Sequence, residues 1–430
     1  MHARDVNEGH GRFSAVFDDT LEFVWPAGSQ KQVGTDPRLT RGHVSPPTTP
    51  RRLRAARRLT TMPPVLAARH AVAPSLARGL GARRGRASAG PRVVRAASTD
   101  AAIDANADRK VVVITGANTG LGKISATEIS RDPSYRVVMA CRDRARGDKA
   151  ADDVAAATGN RPDVMLLDLA SLRSVEDFAR RFEDTYGRCD RLMNNAGVMA
   201  LPKRTVTVDG LETQMGVNHF GHFHLTNLMM PAILAAPGRK RIVNLSSVAH
   251  EFGHPDFDNY NSTGALGYVG SGWLTYGKTK LANLYFTYEL HRRLRNGGVL
   301  DVDVNAVHPG IVDTDLPRSL ALNFYPLLRR TGGLITPAQG ATGQIDACVG
   351  ETWEGVSGKY VAEQSGPRGS EVGPGGKKGV FKVTESSRYS YDQEAAARLW
   401  KVSKALTGAG WEAIGEGKVE KASVAVSSWM

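Results

Sequence analysis

Cysteine and long apolar runs are both scarce in this chain of 430 residues. Only Cys141, Cys189 and Cys348 are present, and no Cys-x-x-Cys pair offers a metal or redox motif. Thiols this few and widely spaced are typical of a reducing compartment. Because no run of about eighteen apolar residues occurs, we expect no transmembrane helix, and attachment at a membrane surface stays open.

Acidic residues are absent between Arg41 and Thr99, where thirteen arginines stand among small residues and proline. A segment of this composition cannot bury a hydrophobic core, so we expect residues 1–100 to be disordered. With seventeen basic and seven acidic residues, residues 1–100 carry +10 of the total formal charge of +13. An Arg-rich N-terminal region that lacks a compact apolar run is typical of an organellar transit peptide.

We therefore expect residues 1–100 to be a targeting segment, for a plastid ahead of a mitochondrion, with the cytoplasm as the location if no targeting occurs. Residues 91–98 resemble a plastid processing site. A basic tail without a targeting role and an arm that binds nucleic acid are the alternatives; we favour targeting and expect no nucleic-acid partner. Because residues 1–61 include acids and aromatics, Met62 is an alternative start.

From Lys110 onward, short apolar runs alternate with longer amphipathic stretches, which predicts βαβ units and a three-layer, doubly wound parallel α/β sheet in a single domain of residues 105–415. The expected strands are 111–115, 136–141, 164–168, 191–194, 241–246, 302–308 and a short seventh at 359–361. The expected helices are 122–130, 145–157, 172–186, about 218–234, and 275–295. Residues 366–379 read as a surface insertion, and residues 416–430 as a tail.

A glycine-rich turn directly follows the first expected strand. Its spacing, G-x-x-x-G-x-G from Gly116 to Gly122, suits a backbone that approaches a pyrophosphate at a helix N-terminus. The second strand ends at Cys141 without an acid, and the Arg142 guanidinium that follows favours the 2′-phosphate of NADP(H) over NAD(H). Asp143, which comes next, argues the other way, as does Thr119, where NADP enzymes often place a second basic residue.

Tyr276 and Lys280 lie four residues apart on an expected helix, and therefore on one face of it. Ser247 follows an apolar strand, so it reaches the carboxyl edge of the sheet, where doubly wound folds bind ligands. Since a neighbouring ammonium favours the phenolate, we expect Lys280 to lower the pKa of Tyr276 from its ordinary value of about 10 toward neutrality. As an acid or base, Tyr276 would exchange a proton with an oxygen of the substrate. The Ser247 hydroxyl is expected to stabilise the charge that develops on that oxygen.

Taken in order, the glycine turn, Asn194-Asn195-Ala196-Gly197, Ser247, Tyr276-x-x-x-Lys280 and Pro309-Gly310 resemble the short-chain dehydrogenase/reductase family over residues 105–410. The resemblance implies a Rossmann-type fold and an oxidoreductase that acts on a CH–OH or C=O group. It implies a catalytic set in which Asn218 anchors a water of a proton relay, namely Asn218, Ser247, Tyr276 and Lys280. The residues expected to bind NADP(H) are Thr115, Gly116, Asn118, Thr119, Gly120, Leu121, Gly122, Arg142, Asp168, Leu169, Asn195, Ala196, Gly197, Tyr276, Lys280, Pro309, Gly310, Val312 and Thr314.

Four shorter segments, residues 194–199, 218–223, 246–250 and 280–283, resemble the retinol dehydrogenase and WW-domain oxidoreductase branch of the family. Residues 316–330 fall where this family forms its substrate lid, and the apolar side chains there suit a bulky apolar substrate. A helix that only covers the sheet is the alternative. Arg329 and Arg330 offer contact with an anionic membrane surface.

Two other functions stay open. Light-dependent protochlorophyllide reductases are close relatives, but they usually have an alanine where Gly197 stands, and they are richer in cysteine. A redox-sensing NADP-binding component of an organellar envelope assembly would need only the nucleotide site, whereas this chain has the full set of catalytic residues. A homo-oligomer is also left open.

Histidines crowd the segment around Asn218, but no acidic or cysteine ligand accompanies them at a characteristic spacing, so we expect no metal site. Helix packing is the expected role of His219, His222 and His224. His250 and His254 are expected on a loop beyond Ser247.

Overall fold

The computed structural model describes residues 108–254, 256–257, 259–263, 268, 272–313, 334–364 and 379–408. Within these residues, eight strands form one sheet in the order β3-β2-β1-β4-β5-β6-β7-β8. Strands β1 to β7 are parallel, and β8 pairs antiparallel with β7 at the edge. The strands are β1 (Lys110–Thr115), β2 (Tyr135–Cys141), β3 (Asp163–Leu166), β4 (Arg191–Asn194), β5 (Lys240–Leu245), β6 (Val302–His308), β7 (Lys359–Glu363) and β8 (Phe381–Thr384).

Helices cover both faces of the sheet. They are α1 (Gly120–Ser130), α2 (Arg144–Thr158), α3 (Leu172–Tyr186), α4 (Gly221–Ala235), α5 (Trp273–Asn296), α6 (Pro337–Val349) and α7 (Gln393–Thr407). Successive side chains of a strand point to opposite faces. Val111 and Val113 of β1 accordingly pack with the layer of α3, α4 and α5, while Val112 and Ile114 pack with α1, α2 and α6.

Local sequence signals explain where several helices begin and end. The Asp143 carboxylate caps α2 by accepting a hydrogen bond from the Arg146 backbone N–H, and α2 ends at Gly159 in a left-handed conformation. Thr336 and Gln339 form a reciprocal capping box at the start of α6, next to a proline in the first turn. The caps at Asp143 and Thr336 fix where α2 and α6 begin, at the carboxyl edge of the sheet.

The structure confirms the doubly wound α/β fold and corrects its details. An eighth strand, β8, was not expected, because its half-exposed residues include Lys382 and lack the continuous apolar run of the central strands. Helices α6 and α7 were also not expected. Strand β3 ends at Leu166, so Asp168 lies beyond the strand and not at its last residue.

Residues 1–107 and 409–430 lie outside the described residues, as does the expected surface insertion apart from Gly379. Within the described part of the chain, no helix is both long and apolar enough to cross a membrane.

Candidate active site

The glycine turn lies at the carboxyl edge of the sheet between β1 and α1. Gly116 and Gly120 have φ of +66° and +55°, which glycine adopts without a steric penalty. At Gly122, a Cβ atom would lie 2.5 Å from Asn195 Nδ2 and 2.7 Å from Gly116 O. The third glycine is therefore required for close packing of α1 against the segment that follows β4.

Thr115 joins the end of β1 to the segment after β4. Its Oγ1 accepts hydrogen bonds from the backbone N–H groups of Asn195 and Ala196, each at 2.9 Å. The Asn195 amide donates to Thr115 O at 2.8 Å, and its Oδ1 accepts from Gln344 Nε2 at 3.2 Å. The two halves of the expected nucleotide site are thus joined by direct hydrogen bonds, and Gln344 on α6 is a support that the sequence did not reveal.

The start of α1 is open to an anion. Thr119 precedes the helix, but its side chain makes no capping hydrogen bond, and Thr119 and Gly120 are exposed. Asn118 and Leu121 are partly buried beside them. Backbone N–H groups of a first turn that no side chain caps are available to a phosphate oxygen, so the turn fits the pyrophosphate of a dinucleotide.

Arg142 and Asp143 follow β2 at the same edge and differ in their contacts. Arg142 is exposed and has no carboxylate partner among the described residues. Asp143 is already engaged as the cap of α2, accepting from Arg146 N at 2.9 Å. Cys141 also supports the site, because its buried thiol accepts hydrogen bonds from backbone N–H groups of the glycine turn, while burial raises its pKa to about 11.

Asp168 and Leu169 lie beyond β3. One oxygen of the partly buried Asp168 carboxylate accepts from Ala170 N at 3.0 Å. Leu169 is buried, and its carbonyl oxygen would be 2.6 Å from a Cβ atom at Gly221. This pair therefore packs against the start of α4 and faces the same edge as the glycine turn.

Tyr276, Ser247 and Lys280 come together where β5 meets α5. The Ser247 side chain lies close enough to the Tyr276 hydroxyl to lower the pKa of that phenol. Lys280 Nζ donates to Leu245 O at 3.0 Å and lies 5.4 Å from the centre of the Tyr276 ring. Tyr276 and Lys280 are only 6% and 5% exposed. The expected catalytic residues thus form one buried cluster.

Burial, and not the neighbouring charge, dominates the titration of this cluster. It raises the pKa of Tyr276 to about 12, and the nearby Ser247 side chain opposes that shift. It also lowers the pKa of Lys280 to about 8. The expected fall of that pKa toward neutrality is therefore not found among these side chains, because both polar groups have lost their hydration.

Asn218 lies in a π-helical turn, Gly216–Phe220, that leads into α4. Its Oδ1 accepts from Val198 N at 2.8 Å, and its Nδ2 donates to Val198 O at 2.8 Å and to Thr279 Oγ1 at 3.1 Å. A Cβ atom at Gly197 would lie 3.3 Å from Asn218 Oδ1. The Asn218 amide is therefore a clamp between the segment after β4 and α5, in the kind of helical irregularity that often marks a functional site.

A row of buried amides and hydroxyls crosses β4, β5 and α5 behind the cluster. The Asn283 amide in this row donates at 2.9 Å to Leu245 O, the carbonyl that also accepts from Lys280. The row holds the lysine in place through this shared acceptor. Its members are Asn194, Asn244, Asn283 and Thr287.

The histidines near Asn218 are buried in the helical layer. His219 Nε2 lies 2.9 Å from Ser403 Oγ on α7, and His224 Nε2 lies 3.7 Å from a Glu176 carboxylate oxygen. No cluster of three potential metal ligands occurs in the part of the chain that the structure describes. His222 has two polar contacts, with Thr115 and with Asn218.

His250 connects the segment around Ser247, at the carboxyl edge of the sheet, to the C-terminal part of the fold. Its Nδ1 lies 2.7 Å from Ser247 O, and its Nε2 accepts from Ser387 N at 2.9 Å. Both ring nitrogens are therefore engaged. His254 is exposed.

The segment after β6 completes the edge. Gly310 has φ of +86°, and a Cβ atom there would lie 2.7 Å from Ile335 Cδ1. Val312 is buried and bridges to Ile335, next to Pro309. Thr314 and the expected lid, residues 316–330, lie outside the described residues.

Comparison with known proteins agrees with this geometry. A family model described as short chain dehydrogenase matches residues 110–266. The chain is 39% identical over 314 residues to retinol dehydrogenase 13 of Homo sapiens, covering 70% of this chain and 85% of the relative. It is also 39% identical over 311 residues to retinol dehydrogenase 12 of Mus musculus, covering 70% and 88%.

Among solved structures, an uncharacterized protein from Mycobacterium paratuberculosis matches with a TM-score of 0.54 and 34% identity. The match covers 70% of this chain and 94% of that one. The protein is therefore an enzyme of the short-chain dehydrogenase family of NAD(P)(H)-using oxidoreductases, in its retinol dehydrogenase-like branch.

Proposed function

We propose that the protein transfers hydride between NADP(H) and a carbonyl or alcohol carbon of a bulky apolar substrate, with Tyr276 as the acid or base. The observation that carries this proposal is the buried cluster itself, in which Lys280 Nζ lies 5.4 Å from the centre of the Tyr276 ring and the Ser247 side chain lies near the Tyr276 hydroxyl. Three polar side chains that converge at the carboxyl edge, beside a glycine turn, are what proton transfer at a substrate oxygen requires.

The protonation states favour carbonyl reduction. Since the pKa of Tyr276 is raised to about 12, its phenol is protonated at neutral pH and can donate to a carbonyl oxygen. The Ser247 hydroxyl, which lies near Tyr276, can turn its single hydrogen to the same oxygen as negative charge develops there. Bound NADPH supplies the hydride. Lys280 has a pKa of about 8 and carries its charge at neutral pH, with Nζ 5.4 Å from the centre of the Tyr276 ring.

The residues after β2 support NADP(H) over NAD(H). A carboxylate at this point would repel a 2′-phosphate and accept from a ribose hydroxyl. The carboxylate of Asp143 is instead occupied by the α2 cap, and the Arg142 guanidinium is exposed and unpaired among the described side chains. A guanidinium without a carboxylate partner can form two hydrogen bonds to phosphate oxygens.

Two exposed apolar side chains support a bulky apolar substrate. Phe252 is 59% exposed, and it lies in the short 3-10 helix that Ser247 caps. Leu274 is 49% exposed and precedes Tyr276 by two residues on α5. Exposed apolar side chains on the two elements that follow Ser247 and carry Tyr276 favour a ligand that binds through buried apolar area. Relatives named retinol dehydrogenase agree with a substrate of this class.

The test is turnover by the full chain with NADPH and a panel of retinal, aliphatic aldehydes, steroids and protochlorophyllide. For the substrate that is reduced, we expect Tyr276→Phe to lower kcat by about 10² to 10⁴-fold, because the proton donor is removed, with little change in the Kd for NADPH. Tyr288→Phe on the same helix serves as the control. Near wild-type turnover by Tyr276→Phe overturns the mechanism, and NADPH binding without turnover across the panel favours a sensor.

We also propose that residues 1–100 direct the protein to a plastid. The support is compositional: thirteen arginines and no acidic residue lie between Arg41 and Thr99. A fluorescent protein fused to residues 1–100 tests the proposal in plant cells, and accumulation in mitochondria or in the cytoplasm contradicts it.

A further inference from the structure

His222 lies in the first turn of α4, 2% exposed, between the end of β1 and the π-helical turn. Its Nε2 is 2.9 Å from Thr115 Oγ1, and its Nδ1 is 3.1 Å from Asn218 O. One imidazole therefore touches both the threonine that closes the nucleotide turn and the backbone of the catalytic asparagine.

The hydrogen bonds of Thr115 assign the proton positions on this ring. A threonine hydroxyl has two lone pairs and one hydrogen. Both lone pairs of Thr115 Oγ1 are used by the N–H groups of Asn195 and Ala196. Its hydrogen can go to His222 Nε2 at 2.9 Å or to Met193 O at 3.4 Å, and the shorter contact is the better hydrogen bond. Nε2 is then the acceptor, so Nδ1 carries the proton of the neutral ring and donates it to Asn218 O.

The surroundings keep the ring neutral. Burial lowers the pKa of His222 to about 4, and the positive charge of Lys280 on α5 adds to the shift, while the bond to the Asn218 carbonyl opposes it. The other titratable group facing it is His219, which is itself neutral because burial lowers its pKa to about 3. A proton on Nε2 would also leave the Thr115 hydrogen only the longer contact to Met193 O at 3.4 Å.

We propose that His222 is a positioning residue, held in its Nδ1–H tautomer, that couples the nucleotide turn at Thr115 to the backbone carbonyl of Asn218. Its Nε2 fixes the hydroxyl that binds the segment after β4, which lines the nucleotide site. Its Nδ1–H fixes the π-helical turn in which Asn218 lies. The catalytic part of this inference rests on the proposed function, whereas the tautomer and the effect on nucleotide binding do not.

Two amide variants separate the two contacts. In His222→Gln, the longer side chain brings an amide oxygen toward Thr115 and gives up the donor to Asn218. In His222→Asn, an amide N–H near the position of Nδ1 keeps the bond to Asn218 and gives up Thr115. One lost hydrogen bond corresponds to about a tenfold effect. We expect His222→Gln to lower kcat about tenfold with the Kd for NADPH near wild type, and His222→Asn to weaken NADPH binding about tenfold with kcat near wild type at saturating NADPH.

The Kd is measured by quenching of tryptophan fluorescence, for which Trp273, stacked on the Tyr276 ring, is a local reporter. If both variants change kcat and Kd together and by similar factors, His222 has only a structural role and the proposal is overturned. If the wild-type protein binds NADPH but reduces no substrate, the proposed function fails, and the Kd values alone still test the Thr115 contact.

A spectroscopic measurement on the wild-type protein does not depend on any variant folding. In the ¹⁵N-histidine-labelled full chain, the nitrogen shifts distinguish the protonated from the unprotonated ring nitrogen, and His222→Gln identifies the signal by its loss. We expect Nδ1 to be protonated and Nε2 to be unprotonated between pH 7.5 and pH 5.5. An Nε2–H tautomer, or a doubly protonated ring in this range, overturns the proposal.

Discussion

Two neighbouring residues of opposite charge at the carboxyl edge have different roles. Asp143 caps a helix, while its neighbour Arg142 is exposed without a carboxylate partner in the described structure. Sequence alone placed both residues after β2 but left their charges in conflict, because a pattern of letters does not reveal which group is already hydrogen-bonded. The capping contact gives Asp143 a structural role, which supports the proposed preference for NADP(H).

Replacing Arg142 tests cofactor selection. Because a guanidinium can form two charge-assisted hydrogen bonds with a 2′-phosphate, we expect Arg142→Ala to raise the KM for NADPH about tenfold or more and to leave the KM for NADH within about twofold. Steady-state kinetics with both nucleotides measure the change. Arg173→Ala, on α3 and paired with Asp177 at 3.4 Å, is the control. Equal effects on both nucleotides would contradict the assignment.

Gly122 tests the packing of the turn. A methyl group there meets Asn195 Nδ2 at 2.5 Å and Gly116 O at 2.7 Å, so the turn and the segment after β4 must separate. We expect Gly122→Ala to lower the free energy of unfolding by about 1–3 kcal/mol and to weaken NADPH binding. Chemical denaturation and fluorescence titration measure the two effects. Gly159→Ala, at a φ of +79° and with no atom within 4 Å, shows the cost of backbone strain alone, which Gly122→Ala does not incur.

The proposed catalytic set could be picked out from the sequence because its residues follow recognisable elements: Ser247 lies two residues beyond a strand, and Tyr276 and Lys280 share a helical face. The supporting contacts could not be predicted. Cys141 accepts hydrogen bonds from the glycine turn. Gln344 donates to Asn195, which lies 149 positions away, and no local sequence pattern indicates such a contact. The expected fall of the pKa of Tyr276 was not found for a similar reason, since the degree of burial is a property of the folded chain.

At the level of elements, α7 is the main departure from the expected fold. It packs on α5 and α4, where the Trp400 ring centre lies 5.0 Å from that of Phe223 and 5.9 Å from that of Phe286. The sequence contains the signals of this helix, an Asp392 cap and apolar residues at helical spacing. A short amphipathic stretch beyond the last central strand does not reveal which surface it covers, so its role came only from the structure.

The anchoring of α7 predicts a large effect of one substitution. Trp400 is 4% exposed, and the Arg293 guanidinium lies 4.5 Å from its ring centre. We expect Trp400→Ala to reduce the free energy of unfolding by about 3–5 kcal/mol, because a large buried ring leaves a cavity. Leu406→Ala, at a side chain that is 41% exposed on the same helix, should cost less than about 1 kcal/mol. Similar losses for both variants, measured by denaturant unfolding, would show that α7 is not anchored through Trp400.

For the molecule as a whole, buried histidines set a lower pH limit of stability. Burial holds the pKa of His219 and His308 at about 3 and that of His222 at about 4, below the ordinary 6.5. Between these values the unfolded chain binds more protons than the folded one. The stability is therefore complete above about pH 6.5 and falls as the pH decreases toward 4.

Denaturant unfolding at several pH values measures this slope. Three protons taken up on unfolding correspond to at most about 4 kcal/mol per pH unit. We expect His219→Gln to reduce the slope by about one proton, while His254→Gln, at an exposed side chain, serves as the control. A stability that does not change between pH 6.5 and pH 5 would contradict the burial of these rings.

The contact between His219 and Ser403 joins positions that are 184 residues apart. During synthesis, the π-helical turn that carries Asn218 therefore emerges from the ribosome long before its anchor on α7 exists. Chains that stop short of Ser403 would hold the glycine turn, Ser247, Tyr276 and Lys280 and still lack this support. We therefore expect the helical layer around Asn218 to be completed only late in biogenesis, once α7 has been made.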